Sequence, residues 1–325
     1  MLNLTAIGDI KLDTFVVIPE KSDFCRLKMP DFLLCFNYGE KIPVGAVESQ
    51  IAGSAPNVAV GLARLGFKTA VFSFMGEDGT YKLALDVLKK EKVDASLIKN
   101  LKGAKSSFSA VLNYKGEKTI LASHVSYPYA LPKKLPKTEW LYLCEMGHNY
   151  KKIYHDVARY AKRKKLKIGF NPGAIQIMER DKTLYELIAV TEILFINVGE
   201  AHAILKKEEQ PLPIERVAAE IYKMGPKIVV ITDGRKGAYA FDGNQLDFCP
   251  TFPSKRVEAT GAGDAFATGY IGAIMSDIHP REALRWGAAN GASVVSFVGP
   301  QPGLLTLKKM RASLRKHASV KAIKR

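Results

Sequence analysis

Glu258-Ala259-Thr260-Gly261-Ala262-Gly263-Asp264-Ala265-Phe266 decides how the chain is to be read. Gly261, Ala262 and Gly263 stand directly before an apolar helical pattern carried by Phe266, Tyr270 and Ile274. Residues this small let backbone amides converge without side-chain obstruction, at the positive end of a helix dipole. Such a place suits a transferring phosphoryl group. Asp264 falls in the first helical turn, within reach of the same anion, although an aspartate there also serves as an ordinary helix-terminal residue. The segment is not a P-loop, since G-x-x-x-x-G-K-[ST] occurs nowhere. Nor is it G-x-G-x-x-G, because Phe266 stands where the third glycine belongs.

Along the rest of the chain, strands and helices alternate. Strands are expected near 2–7, 69–75, 139–144, 167–170, 193–196 and 227–231, and a β pair near 237–241 and 246–249. Helices are expected near 56–65, 81–90, 150–165, 182–190, 199–206, 214–224, 263–276, 281–298 and 305–317. This alternation predicts an α/β fold, with a mainly parallel central sheet and helices on both faces. Segments 13–50 and 108–122 break the pattern. The first is punctuated by Pro19, Pro30, Gly39, Pro43 and Gly45; the second is a hairpin around Tyr114-Lys115-Gly116-Glu117. Both are predicted to pair as a small β-sheet lid inserted into a single domain, 1–325.

With 325 residues, 47% hydrophobic and 25% charged, the chain has ample material for a core and no signature of disorder. No run approaches the roughly 18 apolar residues of a membrane span, and the first residues do not read as a signal peptide. The four cysteines lack any C-x-x-C pairing and read as reduced thiols, so a cytoplasmic enzyme is expected. Net charge is +16. The C-terminal helix and tail, 304–325, hold eight Lys/Arg and no acid, and Lys162-Arg163-Lys164-Lys165 is a second cluster. Without zinc-finger spacing or an aromatic–basic platform, these read as solvated lysine faces rather than a nucleic-acid surface.

The segment around Asp264 resembles the D-T-x-G-A-G-D-x-F motif of the ribokinase family, the PfkB-type carbohydrate kinases. Four further stretches resemble that family in order. They are Gly8 and Asp13, like its G-x-x-x-x-D; Ile51 to Ala59 with Leu62 to Gly66, like G-G-x-x-x-N-x-A…L-A-x-L-G; Asn197-Val198-Gly199-Glu200, like N-x-x-E; and Thr232 to Gly237, like T-x-G-x-x-G. The hairpin Val111 to Ile120 resembles a family lid strand pair. The resemblance runs from residue 7 to about 303.

It implies a ribokinase-like fold and ATP-dependent transfer of the γ-phosphate to a hydroxymethyl group of a small carbohydrate; a nucleoside kinase of adenosine, cytidine or guanosine type is the alternative. Asp264 is implied as general base and Gly261, Ala262 and Gly263 as the anion hole. Asp13, Gly53 and Asn57 are implied to bind the acceptor. Thr232, Gly234, Gly237 and Asn290 are implied to line the nucleotide site. Asn197 and Glu200 would hold Mg²⁺ through water, although read alone they are a helix cap. Two positions depart from the family: Ala52 replaces the first glycine of its pair, and Glu258 replaces an aspartate that helps hold a monovalent cation, leaving Glu258 as the candidate for K⁺. Relatives form homodimers through the lid, which nothing in this sequence requires. A nucleic-acid-binding protein acting through the tail, and an inactive family member, are the remaining readings.

Overall fold

The computed structural model describes residues 1–21, 23–29, 33–115 and 117–325. Pro30 and Gly116, both expected in turns, lie outside the described residues. Ten strands form the central sheet: β1 (Leu2–Ile7), β6 (Thr69–Gly76), β7 (Ile98–Leu101), β10 (Thr138–Leu143), β11 (Lys167–Phe170), β12 (Ile193–Asn197), β13 (Ile228–Thr232), β14 (Ala238–Phe241), β15 (Leu246–Cys249) and β16 (Ile323–Lys324). Their order is β16-β15-β14-β13-β12-β11-β10-β1-β6-β7. Pairing is parallel from β13 through β7 and antiparallel from β13 to β16.

Alternation along each parallel strand divides the core into two layers. In β12, Ile193 and Phe195 face one layer while Leu194 and Ile196 face the other. One layer is covered by α1 (Ser54–Arg64), α2 (Gly79–Lys90), α8 (Ala262–Ile274), α9 (Pro280–Val294) and α10 (Leu307–Lys316). The other is covered by α3 (Lys151–Lys164), α4 (Ala174–Glu179), α5 (Lys182–Ile188), α6 (Val198–Ile204) and α7 (Ile214–Tyr222). Burial on both faces explains why these strands read as near-continuous apolar runs. Helix α8 is apolar all round, because α1 and α9 pack on it as well as the sheet.

A separate sheet has the order β5-β2-β8-β9, with β2 (Lys11–Val17), β5 (Ala46–Ala52), β8 (Ser107–Tyr114) and β9 (Glu117–Ser123). The two irregular segments therefore pair as expected: β2 lies parallel to β8, Asp13 opposite Ser109. One part of the expectation is corrected. β3 (Cys25–Lys28) and β4 (Leu33–Phe36) do not join this sheet; they form a two-stranded hairpin of their own. Ten of the fifteen exposed large apolar side chains among the described residues lie on these lid segments, including Tyr38, Val47 and Leu121.

The basic tail is folded into the domain. Met310 of α10 is fully buried, β16 pairs with β15, and Arg285 of α9 donates to the carbonyls of Leu314, His317 and Val320. The four cysteines are free thiols, three of them buried. No helix among the described residues is long and apolar enough to cross a membrane.

Candidate active site

The parallel strands β1, β10, β12 and β13 end on one edge of the sheet, the place where ligands bind in open α/β folds. Asp9 follows β1, Glu145 follows β10, Asn197 ends β12 and Thr232 ends β13. Helix α8 brings the loop of small residues to the same edge.

That loop is built around backbone geometry. Gly261 caps α8 with φ 76°, a left-handed conformation, and an added Cβ would run into Pro300. Gly263 is different: it is exposed and has nothing within 4 Å of a would-be Cβ, because its open side faces a cavity. The amide of Ala262 turns back to the Ala259 carbonyl at 3.3 Å, whereas those of Gly261 and Gly263 take no acceptor among the described residues. Glu258 braces the loop from inside. Buried, it accepts from Thr260 N at 2.6 Å, from Thr260 Oγ1 at 2.5 Å and from Gly299 N at 3.3 Å.

Asp264 sits one residue past Gly263, half-buried. Asn57 Nδ2 of α1 donates to its Oδ2 at 2.8 Å, and Asn57 Oδ1 accepts from Gln301 Nε2 at 3.1 Å. Burial raises the Asp264 pKa, and the Asn57 and Ser54 hydrogen bonds oppose that rise. Gly53 opens α1 at φ 112°, pressed on the Asp9 carbonyl where a Cβ would clash.

Around Asp264 lies an acidic group with one buried cation. Lys11 Nζ pairs with Glu145 Oε1 at 2.5 Å. Burial opposes the charge on each; the mutual attraction outweighs it, raising the Lys11 pKa and lowering that of Glu145. Asp13 is buried, its Oδ1 has no hydrogen-bond partner among the described residues, and burial raises its pKa against the pull of Lys11. Glu200 is raised by burial, with Glu145 and Asp264 adding to the rise. Asp9, fully buried, is pushed up to about 7 by burial, although it accepts from Tyr129 Oη at 2.7 and 2.8 Å.

Asn197 and Glu200 form the reciprocal cap that their spacing suggests: each side chain accepts from the other's backbone N–H at 2.9 Å. The cap engages Glu200 through Oε2. Glu145 raises the Glu200 pKa while its own is held low by Lys11; negative charge beside Glu200 favours a cation, and Mg²⁺, which keeps several waters, needs few protein ligands. The donor set of Glu200 and Glu145 therefore fits such an ion. Among the described residues, no group of three or more His, Cys, Asp or Glu forms a metal cage.

Beside the loop is a cavity of about 470 Å³ lined by Thr232, Gly234, Gly237, Ala262 and Gly263, with Phe252 and Gly291 among its apolar walls. Arg235 and Arg256 also line it. Asn290 does not. Its amide is fully buried, Nδ2 donating to Ala265 O at 2.8 Å and Oδ1 accepting from Leu305 N at 2.9 Å. The expectation that Asn290 borders a base is corrected: it fastens α9 to α8 and to the chain before α10, and its neighbours Ala288, Gly291 and Ala292 form the wall.

The structure thus brings Asp13, Gly53, Asn57, Asp264 and Glu200 to one side of the loop, and Thr232, Gly234 and Gly237 to the other. Lys11, Glu145 and Asp9 carry no motif spacing and escape sequence reasoning. Their only signal is a charged residue at the end of a strand or among apolar neighbours.

The model of the pfkB family carbohydrate kinase matches residues 16–307. The chain belongs to the pfkB family. Among curated members, the 2-dehydro-3-deoxygluconokinase of Bacillus subtilis (strain 168) is 27% identical over 314 residues, covering 87% of this chain and 92% of the relative. A putative ribokinase II from E. coli, solved in complex with ATP and Mg²⁺, superposes with a TM-score of 0.80 at 20% identity, over 98% of this chain and 100% of the other. The nucleoside kinase of Methanocaldococcus jannaschii, an archaeal ribokinase-family member, gives a TM-score of 0.76 at 20% identity, over 98% and 99%. The ribokinase-like fold expected from sequence is the fold found. As a pfkB member, the chain is a phosphotransferase that acts on an alcohol group.

Proposed function

We propose that the protein is a cytoplasmic, ATP-dependent sugar kinase that transfers the γ-phosphoryl group to a hydroxymethyl group of a small carbohydrate. One observation carries this reading: Asp264 stands in the first turn of α8, next to a glycine that opens onto a nucleotide-sized cavity. In this reading the acceptor hydroxyl gives its proton to Asp264 as its oxygen attacks the γ-phosphorus and ADP departs. The free amides of Gly261 and Gly263, with Ala262 between them, stabilise charge on the moving phosphoryl.

Asp13 offers its unpartnered Oδ1 to an acceptor hydroxyl, a role a buried carboxylate oxygen needs filled. Asn57 binds the acceptor and orients Asp264, and Gly53 lets the backbone approach. Thr232, Gly234 and Gly237 line the phosphates or ribose of the nucleotide. Mg²⁺, when bound, neutralises phosphate charge. Glu200, with Asn197 capping the same turn and Glu145 nearby, holds it through water. Glu258, which accepts from Thr260 through Oε1 and from Gly299 N through Oε2, is the candidate to hold K⁺ beside the loop. The exposed apolar side chains of β3, β4, β5 and β9 suit a homodimer formed through the lid.

A nucleoside kinase is the second reading. It is favoured by the same fold in an archaeal nucleoside kinase and by the exposed aromatic residues Phe36 and Tyr38 on the lid segments. A coupled assay with ATP and Mg²⁺ over a panel of sugars, sugar acids and nucleosides separates the two. Turnover on sugars alone supports the proposal, turnover on nucleosides alone replaces it, and failure on every alcohol sinks both.

A further inference from the structure

The amino ends of the parallel strands form the edge of the sheet opposite the active site, and cations collect there. Leu131-Pro132-Lys133-Lys134-Leu135-Pro136-Lys137 leads into β10. Its leucines and prolines are half-buried, Leu131 packing on the core layer that α3 covers, while Lys133, Lys134 and Lys137 are all exposed. Two prolines restrict the backbone, so the segment is a stiff strap that holds its lysines outward. The last turns of α3 present Arg159, Lys162 and Arg163, also exposed. The turn from α3 into β11 adds Lys164, Lys165 and Lys167. These clusters are far apart in the chain; the parallel pairing of β10 with β11 brings them together.

Strap and helix enclose two hollows. One, of about 540 Å³, lies between Lys133 and the side chains of Arg159, Lys162 and Arg163. The other, of about 630 Å³, is lined by Lys137, Lys164, Lys165 and Lys167. Tyr160 lines both, so they join into one groove.

We propose that this groove binds the phosphate backbone of a nucleic-acid duplex, a function separate from phosphoryl transfer at the other edge of the sheet.

Three observations support it. First, the cations are unpaired: among the described residues, none of those named in the groove forms an ion pair. The acids lining it are Asp156, which is taken by Lys152 at 2.6 Å, and Glu139. Like charges gathered without partners repel one another. The dipole of α3 accounts for cations in its own last turn but gives no reason for those of the strap.

Second, two of the charged heads are held in place. The guanidinium of Arg163 lies 5.7 Å from the centre of the Tyr160 ring, and Lys167 Nζ lies 5.3 Å from that of Trp140. Such cation–π contacts keep the heads at the groove instead of letting them sweep through solvent.

Third, the surface is unsuited to other partners that seek positive charge. Trp140 is buried and Tyr160 is half-buried beneath Arg163, so no exposed ring offers a platform on which single-stranded bases could stack. Met1 is the sole exposed large apolar side chain among the described lining residues. That is too little apolar surface to enter a bilayer or to form the dry centre of a protein interface. A concave, cationic, apolar-poor groove is complementary to a regular array of phosphates.

The test uses the full chain and fluorescence anisotropy of a labelled RNA duplex and a DNA duplex of the same sequence, about 20 base pairs long, between about 50 and 200 mM salt. Wild type should bind at least one duplex with a Kd of about 1–100 µM near 150 mM salt, and the arm that binds more tightly names the source. The logarithm of the binding constant should fall with the logarithm of salt concentration at a slope of about −4 to −6. Lys133→Gln/Lys134→Gln/Lys137→Gln and, separately, Arg159→Gln/Lys162→Gln/Arg163→Gln should each weaken binding at least about tenfold and make the slope shallower by about 2 to 3. Lys308→Gln/Lys309→Gln/Arg311→Gln removes the same charge from exposed positions of α10 and should bind within about threefold of wild type. The proposal is overturned if the α10 variant loses as much as the groove variants, because binding would then follow net charge alone. It is overturned too if wild type binds neither duplex, whatever it does with phosphatidylserine vesicles or polyglutamate, or if a single strand of the same sequence binds more tightly than either duplex. The outcome is independent of the kinase reading, since no residue of the groove lies at the active site.

Discussion

Asn57 and Asp264 are joined by a 2.8 Å hydrogen bond that ties the first turn of α1 to the first turn of α8. The bond couples the residue assigned to acceptor binding to the residue assigned to proton removal, so the two functions share one geometry.

Asp264→Asn keeps the size of the side chain and its contact with Asn57 while removing the base. Turnover should fall by at least about 10³-fold, with ADP affinity by calorimetry within about threefold of wild type. Activity within tenfold of wild type would eliminate the base assignment.

Asn57→Ala removes a donor that lowers the Asp264 pKa, leaving burial less opposed. The acidic limb of the kcat–pH profile should therefore move to higher pH, while the KM for the acceptor rises. A limb that stays in place, or moves to lower pH, would separate Asn57 from the base.

Asn290→Ala leaves the Ala265 carbonyl and the Leu305 amide without partners in a dry interior. Stability to urea should drop by roughly 2–4 kcal/mol, and the KM for ATP should change less than about twofold. A selective rise in that KM with unchanged stability would return Asn290 to the nucleotide site.

Asp9 gives a pH dependence with a defined sign. Its carboxyl titrates near 7 in the folded chain and near 4 when unfolded. Between those values the folded state holds the extra proton, so stability falls as pH rises through the window and levels off above about 7. The difference should amount to a few kcal/mol at most, on the order of the shift. Asp9→Asn keeps an acceptor for Tyr129 and should flatten that part of the curve in thermal unfolding between pH 5 and 8. An identical slope in the variant would assign the dependence elsewhere.

Much of the fold was legible because its signals are local. β11 and β15 fall on the expected residues, and α8 begins at the glycines that announce it. α4 was missed because six residues after Pro172-Gly173 are too few to display a helical period. β7 was missed because Lys99 and Asn100 interrupt a four-residue edge strand. The pairing of β2 with β8 was expected only from both segments being out of pattern; its parallel sense depends on a long-range register that no short window contains.

At the site, glycines and small residues were readable, since backbone conformation restricts residue type. Lys11 and Glu145 were not, because a single charge acquires its meaning from the partners that folding brings to it. Asn290 misled for the converse reason: a stripe of small residues marks close packing, and an amide within it serves the packing.

Phe252, a wall of the cavity beside the glycine loop, is also where the chain's far end is felt. Its ring lies 5.6 Å from that of His317 and 6.0 Å from the guanidinium of Arg285, which grips the last turn of the chain. Residues 317–325 therefore work as a handle on that cavity wall. A bulky fusion placed after Arg325 would loosen that wall, whereas a fluorophore there would report when the cavity fills.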